Sequence, residues 1–258
     1  DNSNNVFYET LNGKYMSRNI EAIFFDMGGT LRRNSPRNEV EKLSISKKII
    51  TILNSSISVE ELTKLLTYRQ QAYEEWASNN LLELDEIRLW TEWMLPEFPV
   101  ELISRNAMEL NEIWRDAICT RKMFPETHEI IPGLYRNGYR LGLVSNTTSS
   151  VDSHRMLQNE GLASYFDVII LSCNIGKRKP GPEILLEAVE KMELLPCNCA
   201  YVGDRPDWDV VAARGAGFGT TIILRNPNKS LPNYLSPNQT PDHVIDNLKE
   251  LLELFPIR

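Results

Sequence analysis

Short apolar runs that end in polar residues recur through the chain and predict buried strands. The first spans residues 20–26 and lacks polar alternation, as expected for a strand buried on both faces of a sheet. Later runs share this pattern and span 140–145, 168–172, 200–203 and 220–224. Helical patterns at 151–160, 182–192 and 208–215 separate them. This alternation predicts an α/β fold with a mostly parallel, Rossmann-like sheet that binds ligands at the carboxyl ends of its strands.

A long helical block, from about residue 40 to 119, separates the first strand from the others. Ser58 and Glu61 have the spacing of a capping box, which predicts a helix over 59–78. Further helices are predicted at 84–95 and 100–119, because prolines between them break the helical period. The block contains four of the five tryptophans, which we expect to fill a small helical core.

The pattern therefore predicts three parts. Residues 1–18 form an N-terminal tail, 19–35 and 123–258 form the α/β core, and 36–122 form an inserted all-α cap. Because the cap is inserted on the side of the strand ends, we expect it to act as a lid. Within the core, 226–241 is rich in Pro and Asn and predicts a surface excursion, and 243–254 predicts a closing helix. Met16 is a candidate native start, which would make the preceding residues a leader.

Composition excludes several classes of function. The chain has 258 residues, a net charge of -7 and a pI near 5.2, which argues against nucleic acid as a partner. No apolar run approaches the roughly 20 residues of a membrane span, and the N-terminus lacks the order of a secretion signal. The four cysteines show no second pair at metal-ligand spacing. We expect a cytoplasmic protein, and the sequence leaves its oligomeric state open.

Asp26 is the first candidate for chemistry. It stands at the end of the first apolar run, where a buried carboxylate is costly unless a cation lies beside it. Gly28 and Gly29 follow, and glycines let backbone amides approach an anionic group closely. This arrangement predicts a site for a phosphorylated or otherwise anionic substrate.

Three later segments also place polar residues after a predicted strand or before a helix. Ser145 and Asn146 stand where a helix N-terminus would bind an anion. The segment 176–182 supplies Lys177 and Lys179, and the segment 203–209 supplies carboxylates suited to a hard cation such as Mg²⁺. Because the carboxyl ends of parallel strands meet at one edge, we expect these residues to converge.

Taken in order, these segments resemble the haloacid dehalogenase (HAD) superfamily, in the branch with a helical cap after the first motif, and the resemblance covers the chain beyond residue 20. It implies that Asp26 is the nucleophile and that Lys179, before Pro180, is the family's lysine, although Lys177 remains an alternative. It further implies that Ser145 belongs to the second motif, and that Asp204 and Asp209 form the acidic fourth motif. Four ordered motifs make the match specific.

The resemblance implies a Mg²⁺-dependent hydrolase acting on a small phosphorylated metabolite. Asp26, the backbone carbonyl of Gly28 and Asp204 would hold the metal, and Asp209 would act through its water ligands. Ser145, Asn146 and Gly29 would bind the phosphoryl oxygens. Attack by Asp26 would form an aspartyl-phosphate that water then cleaves.

Gly28 departs from the family pattern, in which phosphatases carry a second Asp as general acid and base. Loss of such a group typically costs about 10²- to 10⁴-fold in rate. Three interpretations follow: a slow phosphatase, or one whose substrates need no protonation of the leaving group; a dehalogenase- or phosphonatase-like hydrolase; and a non-catalytic protein that binds a phosphoryl group or a partner.

Three further residues are candidates for substrate contact. Arg32 and Arg33 follow the first motif, and a guanidinium suits bidentate binding of an anion. A solvated charge at the hinge is the alternative for each. Trp208 lies among the acids of the last motif, where it either touches substrate or covers the site.

Overall fold

The computed structural model describes residues 20–225 and 236–258. Its strands are β1 (Ala22–Phe25), β2 (Arg32–Pro36), β3 (Cys119–Met123), β4 (Arg140–Ser145), β5 (Val168–Leu171), β6 (Cys199–Gly203), β7 (Thr220–Leu224) and β8 (His243–Ile245). Six of them form a sheet in the order β5-β4-β1-β6-β7-β8, and every neighbouring pair is parallel. The predicted Rossmann-like α/β class is therefore confirmed.

In the described part of the chain, ten α-helices connect or cover these strands. They are α1 (Glu39–Leu53), α2 (Val59–Asn80), α3 (Glu86–Arg88), α4 (Val100–Ile118), α5 (Thr127–Arg136), α6 (Asp152–Asn159), α7 (Ser172–Ile175), α8 (Glu183–Lys191), α9 (Val211–Gly215) and α10 (Leu251–Leu254). Segments of 3₁₀ or π helix occupy Leu89–Met94, Ala163–Tyr165, Pro196–Asn198, Pro206–Val210 and Leu248–Glu250.

Strand β1 shows why the sheet is buried on both faces. All four of its residues have no exposed surface. Ile23 and Phe25 join an apolar cluster on one face, whereas Ala22 and Phe24 join a second cluster on the other. Successive side chains of a strand point to opposite faces, so an unbroken apolar run supplies both clusters. Asp26, which follows β1, therefore lies next to the apolar core.

The helices between residues 39 and 118, here called the helical unit, have an apolar core of their own. Ser58 caps α2 through the predicted box with Glu61, and Asn38 caps α1 in the same way. Trp90 and Trp114 are buried in this core, and Trp76 and Trp93 pack against it. That the unit serves as a cap stays a prediction.

A two-stranded antiparallel ribbon, β2 with β3, joins the helical unit to the core, and the sequence did not indicate it. Arg32 faces Met123 and Pro36 faces Cys119 across the ribbon. The helical pattern therefore ends at Ile118, where the chain turns into β3. The ribbon crosses both predicted domain boundaries, near 35 and 122, which stay predictions.

The predicted closing helix over 243–254 is wrong in its first half. His243–Ile245 is a strand that pairs in parallel with β7, and the side chain of Asp242 accepts hydrogen bonds from the amide and hydroxyl of Thr221. Pairing along the edge of β7 thus outweighs helix propensity here. A capping box at Asn247 starts the helical turns that follow. The predicted N-terminal tail and most of the predicted excursion lie outside the described residues.

Candidate active site at the carboxyl edge of the sheet

The eleven residues predicted to form the site line one cavity. The cavity has a volume of ≈ 860 Å³ and lies at the carboxyl ends of β1, β4 and β6. Its lining includes Asp26, Gly28, Gly29, Arg32, Arg33, Ser145, Asn146, Lys179, Asp204, Trp208 and Asp209. The convergence follows from topology, because β1 lies between β4 and β6 in the parallel sheet. The individual roles of these residues stay predictions.

Lys179 is the centre of the cavity's buried charges. Its Nζ lies 2.7 Å from Asp26 Oδ1, 2.7 Å from Asp209 Oδ1 and 2.7 Å from the hydroxyl of Tyr201. Its exposed fraction is 1%. Lys177, the alternative lysine, is exposed, and its backbone forms an isolated antiparallel β-bridge with Leu82. Lys179 is therefore the lysine that reaches Asp26.

Burial and shared charge set the protonation states of this cluster. Burial raises the pKa of Asp26, and the ammonium of Lys179 opposes that shift. Burial alone would lower the pKa of Lys179, but Asp209 and Asp26 raise it well above its usual range. Lys179 thus remains a cation, and one ammonium serves two carboxylates.

Tyr201 is a site residue that the sequence analysis missed. It lies inside β6, and its hydroxyl donates to the carbonyl of Val144 at 3.0 Å while accepting from Lys179. Burial raises the pKa of its phenol well above the ordinary value. Tyr201 lies within a strand, so a rule that considers only residues after strand ends does not identify it. The one indication in the sequence is a phenol inside the otherwise apolar strand 199–203.

Asn146 holds the backbone of Lys179. Its Nδ2 donates to the Lys179 carbonyl, and its Oδ1 accepts from the Lys179 amide, both at 2.9 Å. Both polar ends of the side chain are therefore engaged in positioning the lysine. Any part that Asn146 has in binding phosphate falls to its backbone amide, beside the buried Ser145.

Asp209 also performs a positioning role through both carboxylate oxygens. Oδ1 accepts from Lys179, while Oδ2 accepts from the amides of Asp204 and Arg205 at 3.1 and 2.9 Å. Gly203 is required beside it, because a Cβ there would overlap the Asp209 carboxylate. The role expected for Asp209, to act through the water ligands of a metal, stays a prediction.

The turn after β1 brings Asp204 against the main chain near Asp26. Gly29 has a φ of +89°, and a Cβ on it would overlap the carboxylate of Asp204. Only glycine therefore permits this close approach. The amide of Gly29 donates to the Arg32 carbonyl at 2.8 Å, so it is engaged within the turn, and its predicted contact with phosphate stays a prediction.

The donor set near Asp26 suits a hard divalent cation. It consists of the carboxylates of Asp26 and Asp204 and the backbone carbonyl of Gly28, all oxygen donors of the kind that Mg²⁺ prefers. Across residues 20–225 and 236–258, no three side chains of His, Cys, Asp or Glu form a metal-binding group by themselves. A metal here would therefore depend on the backbone carbonyl and on ligands from solvent or substrate.

The two predicted substrate arginines differ in their surroundings. Arg32 is buried, and its Nη1 lies 2.6 Å from Asp152 Oδ2. Its guanidinium is therefore already paired with a carboxylate of the protein. Arg33 is exposed beside the cavity, and it faces Lys122 across the ribbon. Between them, Arg33 is the more accessible to an incoming anion.

Asp152 is the centre of a second charge cluster that the sequence analysis did not predict. Arg32, Arg115 and Arg121 surround its carboxylate, at 2.6, 2.8 and 3.4 Å. Burial alone would raise the pKa of Asp152, but the three guanidiniums lower it to about 2. The cluster joins the end of the helical unit, the ribbon and α6 beside the cavity.

Trp208 lies between two arginines at the edge of the site. The guanidinium of Arg205 stacks 3.6 Å from the ring centroid, and that of Arg178 lies at 5.2 Å. The indole lines both the main cavity and a smaller one of ≈ 380 Å³ that also borders the helical unit. It is therefore placed to cover the site, and its contact with substrate stays a prediction.

A buried carboxylate links the helical unit to the loop that carries Lys179. Glu83 accepts hydrogen bonds from the hydroxyls of Tyr73 and Ser172, and it lies 3.4 Å from the guanidinium of Arg178. Burial raises its pKa, and Arg178 opposes that shift. These contacts fix the helical unit against the segment just before Lys179.

A parallel sheet whose carboxyl edge holds a buried carboxylate–lysine pair defines a Rossmann-like α/β protein with a cluster of charged side chains at its strand ends. The model of the haloacid dehalogenase-like hydrolases matches residues 20–217, which is most of the chain. The chain therefore belongs to that family of hydrolases, as the motifs predicted. Among the described residues, no helix is both long and apolar enough to cross a membrane.

Individual relatives cover nearly the whole chain. A protein from Methanopyrus kandleri named glyceraldehyde 3-phosphate phosphatase is 28% identical over 238 residues, which cover 91% of this chain and 97% of the relative. The structure of a HAD phosphatase from Thermococcus onnurineus is 23% identical, with a TM-score of 0.60, over 92% of this chain and 99% of that one. A 2-haloacid dehalogenase from Pseudomonas syringae is 22% identical, with a TM-score of 0.61, over 91% and 97%. The two structures establish the shared fold.

Proposed function

We propose that this protein is a Mg²⁺-dependent phosphatase that hydrolyses a small phosphorylated metabolite through Asp26. The observation that carries the proposal is the 2.7 Å contact between Asp26 and Lys179 inside a cavity lined by anion-binding and oxygen-donor groups. The name of the relative from Methanopyrus kandleri supports a phosphatase over the other hydrolases.

Lys179 allows a carboxylate to attack an anionic phosphate. A phosphate ester and the Asp26 carboxylate repel each other, and the ammonium 2.7 Å from Asp26 reduces that repulsion. It also favours the ionised form of Asp26 against the cost of burial. Attack of Asp26 on phosphorus would form an aspartyl-phosphate, from which water would release inorganic phosphate.

Mg²⁺ would be held by Asp26, the Gly28 carbonyl and Asp204, with Asp209 fixing the loop that carries Asp204. When bound, it would neutralise charge on the transferring phosphoryl group. The hydroxyl of Ser145 and nearby amides would hold the phosphoryl oxygens in place. The charges of the buried cluster fit this proposal, because Lys179 alone does not balance Asp26 and Asp209.

The helical unit would act as a lid that selects the substrate, in a cytoplasmic enzyme. Trp208 and the smaller cavity lie where the unit meets the core, so a bound metabolite would be enclosed between them. The accessible Arg33 would contact an anionic group of that metabolite. Gly28 would make turnover slow unless the leaving group departs without protonation.

A dehalogenase-like hydrolase is the alternative, and the observation that favours it is Gly28, which stands where phosphatases of the family carry their second acid. Phosphate and halide release distinguish the two. We expect Mg²⁺-dependent phosphate release from aryl or acyl phosphates, and Asp26→Asn should reduce it by about 10⁴-fold or more. Asp207 is an exposed acid in the same segment as Asp204, so Asp207→Asn is the matched control and should retain the rate. Halide release without metal, or full activity in Asp26→Asn, would refute the proposal.

A further inference from the structure

The space beside Gly28 is occupied by an amide from the ribbon. A Cβ built on Gly28 would lie 3.3 Å from Nδ2 of Asn34, which is tighter than ordinary van der Waals contact. Both residues line the main cavity together with Asp26. A side chain at position 28 would therefore point at the place where the Asn34 amide lies.

Backbone contacts hold Asn34 in this position. Asn34 faces Arg121 across the ribbon, and Arg32 forms a bridge with Gly28. The carbonyl of Arg32 also accepts from the amide of Gly29 at 2.8 Å. The ribbon and the turn that follows Asp26 are thus bonded to each other, so Asn34 keeps a fixed relation to Asp26.

The side chain of Asn34 is available to a ligand. It is exposed at the cavity, and within residues 20–225 and 236–258 its amide donates no hydrogen bond to another residue. An asparagine amide carries two N–H donors. By contrast, Asn146 in the same cavity uses its side chain to hold Lys179.

We propose that Asn34 donates a hydrogen bond to the leaving-group oxygen of the substrate, and that the enzyme prefers phosphate compounds whose leaving group is acidic, such as acyl or aryl phosphates. The inference rests on the proposed phosphatase function and names its substrate class. An amide stabilises negative charge on oxygen but cannot give up a proton at neutral pH. The leaving group must therefore depart as an anion.

The step balances without a proton donor in the protein. An oxygen of Asp26 forms a bond to phosphorus, and the bond from phosphorus to the leaving-group oxygen breaks. That oxygen keeps the electron pair, accepts the hydrogen bond from Asn34 and takes its proton from solvent after it departs. Water then attacks phosphorus, which releases inorganic phosphate and restores the carboxylate of Asp26, and the proton lost by water goes to solvent.

The test compares phosphate release from a series of aryl phosphates whose phenols differ in pKa, with Mg²⁺ present. We expect kcat/KM of the wild type, which reports the step that expels the phenol, to fall steeply as the phenol becomes less acidic. Asn34→Ala should lose about 10- to 100-fold for the least acidic phenols and much less for the most acidic. Asn34→Asp should gain about 10-fold or more for the least acidic phenols, and its rate should fall as pH rises, because the new carboxyl group must be protonated to act as an acid.

Asn159, exposed at the end of α6 and outside the cavity lining, provides matched controls, and Asn159→Ala and Asn159→Asp should follow the wild type throughout. Thermal unfolding of the Asn34 variants close to that of the wild type shows that folding is intact. Phosphate release with equal losses across the series, or with none, overturns the role of Asn34 while the phosphatase function stands. Absence of phosphate release from every substrate overturns the phosphatase function and the inference with it.

Discussion

Two buried charge clusters border the main cavity, and their charges are arranged in opposite ways. In the first, a single ammonium, that of Lys179, contacts two carboxylates, those of Asp26 and Asp209. In the second, a single carboxylate, that of Asp152, contacts the guanidiniums of Arg32, Arg115 and Arg121, and a fourth, that of Arg155, lies 3.9 Å away. The first cluster has more negative than positive groups, whereas the second has more positive than negative groups at its centre.

The two clusters differ in how far neighbouring groups balance their charge. The arginines around Asp152 also contact Glu112 and Asp116, so carboxylates of the protein balance most of their charge. The carboxylates around Lys179 include Asp26, which faces the cavity. A balanced cluster is suited to joining elements, while an unbalanced one at a cavity is suited to binding a charged ligand. We therefore predict a structural role for the Asp152 cluster and a chemical role for the Lys179 cluster.

The largest effect is expected from Lys179→Met. The change leaves the carboxylates of Asp26 and Asp209 buried without their shared cation, which should cost about 3–5 kcal/mol of the free energy of unfolding. Phosphate release should fall by at least about 10²-fold, because the attacking carboxylate loses its positioning charge. Urea unfolding and a phosphate assay measure the two effects.

Lys177→Met is the control for this change, since Lys177 is exposed in the same loop. It removes the same charge from the same segment, so it should leave both stability and rate close to the wild type. Equal losses in the two variants would show that the loop needs positive charge in general and that the buried contact has no special role.

The carboxylates of the Lys179 cluster can be predicted from the sequence, whereas the Asp152 cluster cannot. Asp26 and Asp204 follow strands, and a parallel sheet brings such residues to one edge. Arg32 and Asp152 are 120 residues apart, and no period or strand-end rule relates a ribbon to the start of α6. Charged residues on a ribbon and helices are ordinarily solvated, so only the packing of the helical unit identifies these as buried.

Strand β8 and Asn146 illustrate the same limit. The segment 243–245 has three residues, too few for a pattern, and the free edge of β7 decides its structure. Asn146 is correctly placed by the strand-end rule, but the rule does not show that its amide holds Lys179. Position follows from topology, whereas the partner of a side chain follows from packing.

Asp152→Asn tests the second cluster, with a smaller effect. The folded pKa of about 2 lies below the ordinary value of 3.8, and this shift corresponds to about 2 kcal/mol of stability. Because the folded pKa is depressed, the contribution is present above pH 4 and is lost as pH falls through about 2. The variant should therefore be about 2 kcal/mol less stable at pH 7, and this difference should disappear as the pH falls below about 2.

Asp167→Asn is the control, because Asp167 pairs with Arg140 in a partly exposed bridge. It should change stability by less than about 1 kcal/mol. The raised pKa of Asp26 predicts the opposite sign for the first cluster. Relative to the wild type, Asp26→Asn should gain stability as pH rises above 3.8, since ionising the buried carboxylate opposes folding. The same sign in both variants would contradict the contrast between the clusters.

The smallest effect expected is the response of stability to Mg²⁺. A ligand that binds only the folded state at ten times its Kd stabilises it by about 1.4 kcal/mol. We expect MgCl₂ to raise the melting temperature of the wild type and of Asp152→Asn equally, compared with NaCl at the same ionic strength. Asp26→Asn should lose most of this shift, because it removes both a carboxylate donor and the excess negative charge beside Lys179. If Asp26→Asn kept the full shift, Mg²⁺ would be binding elsewhere, and the unbalanced charge of this cluster would have to be explained by the substrate alone.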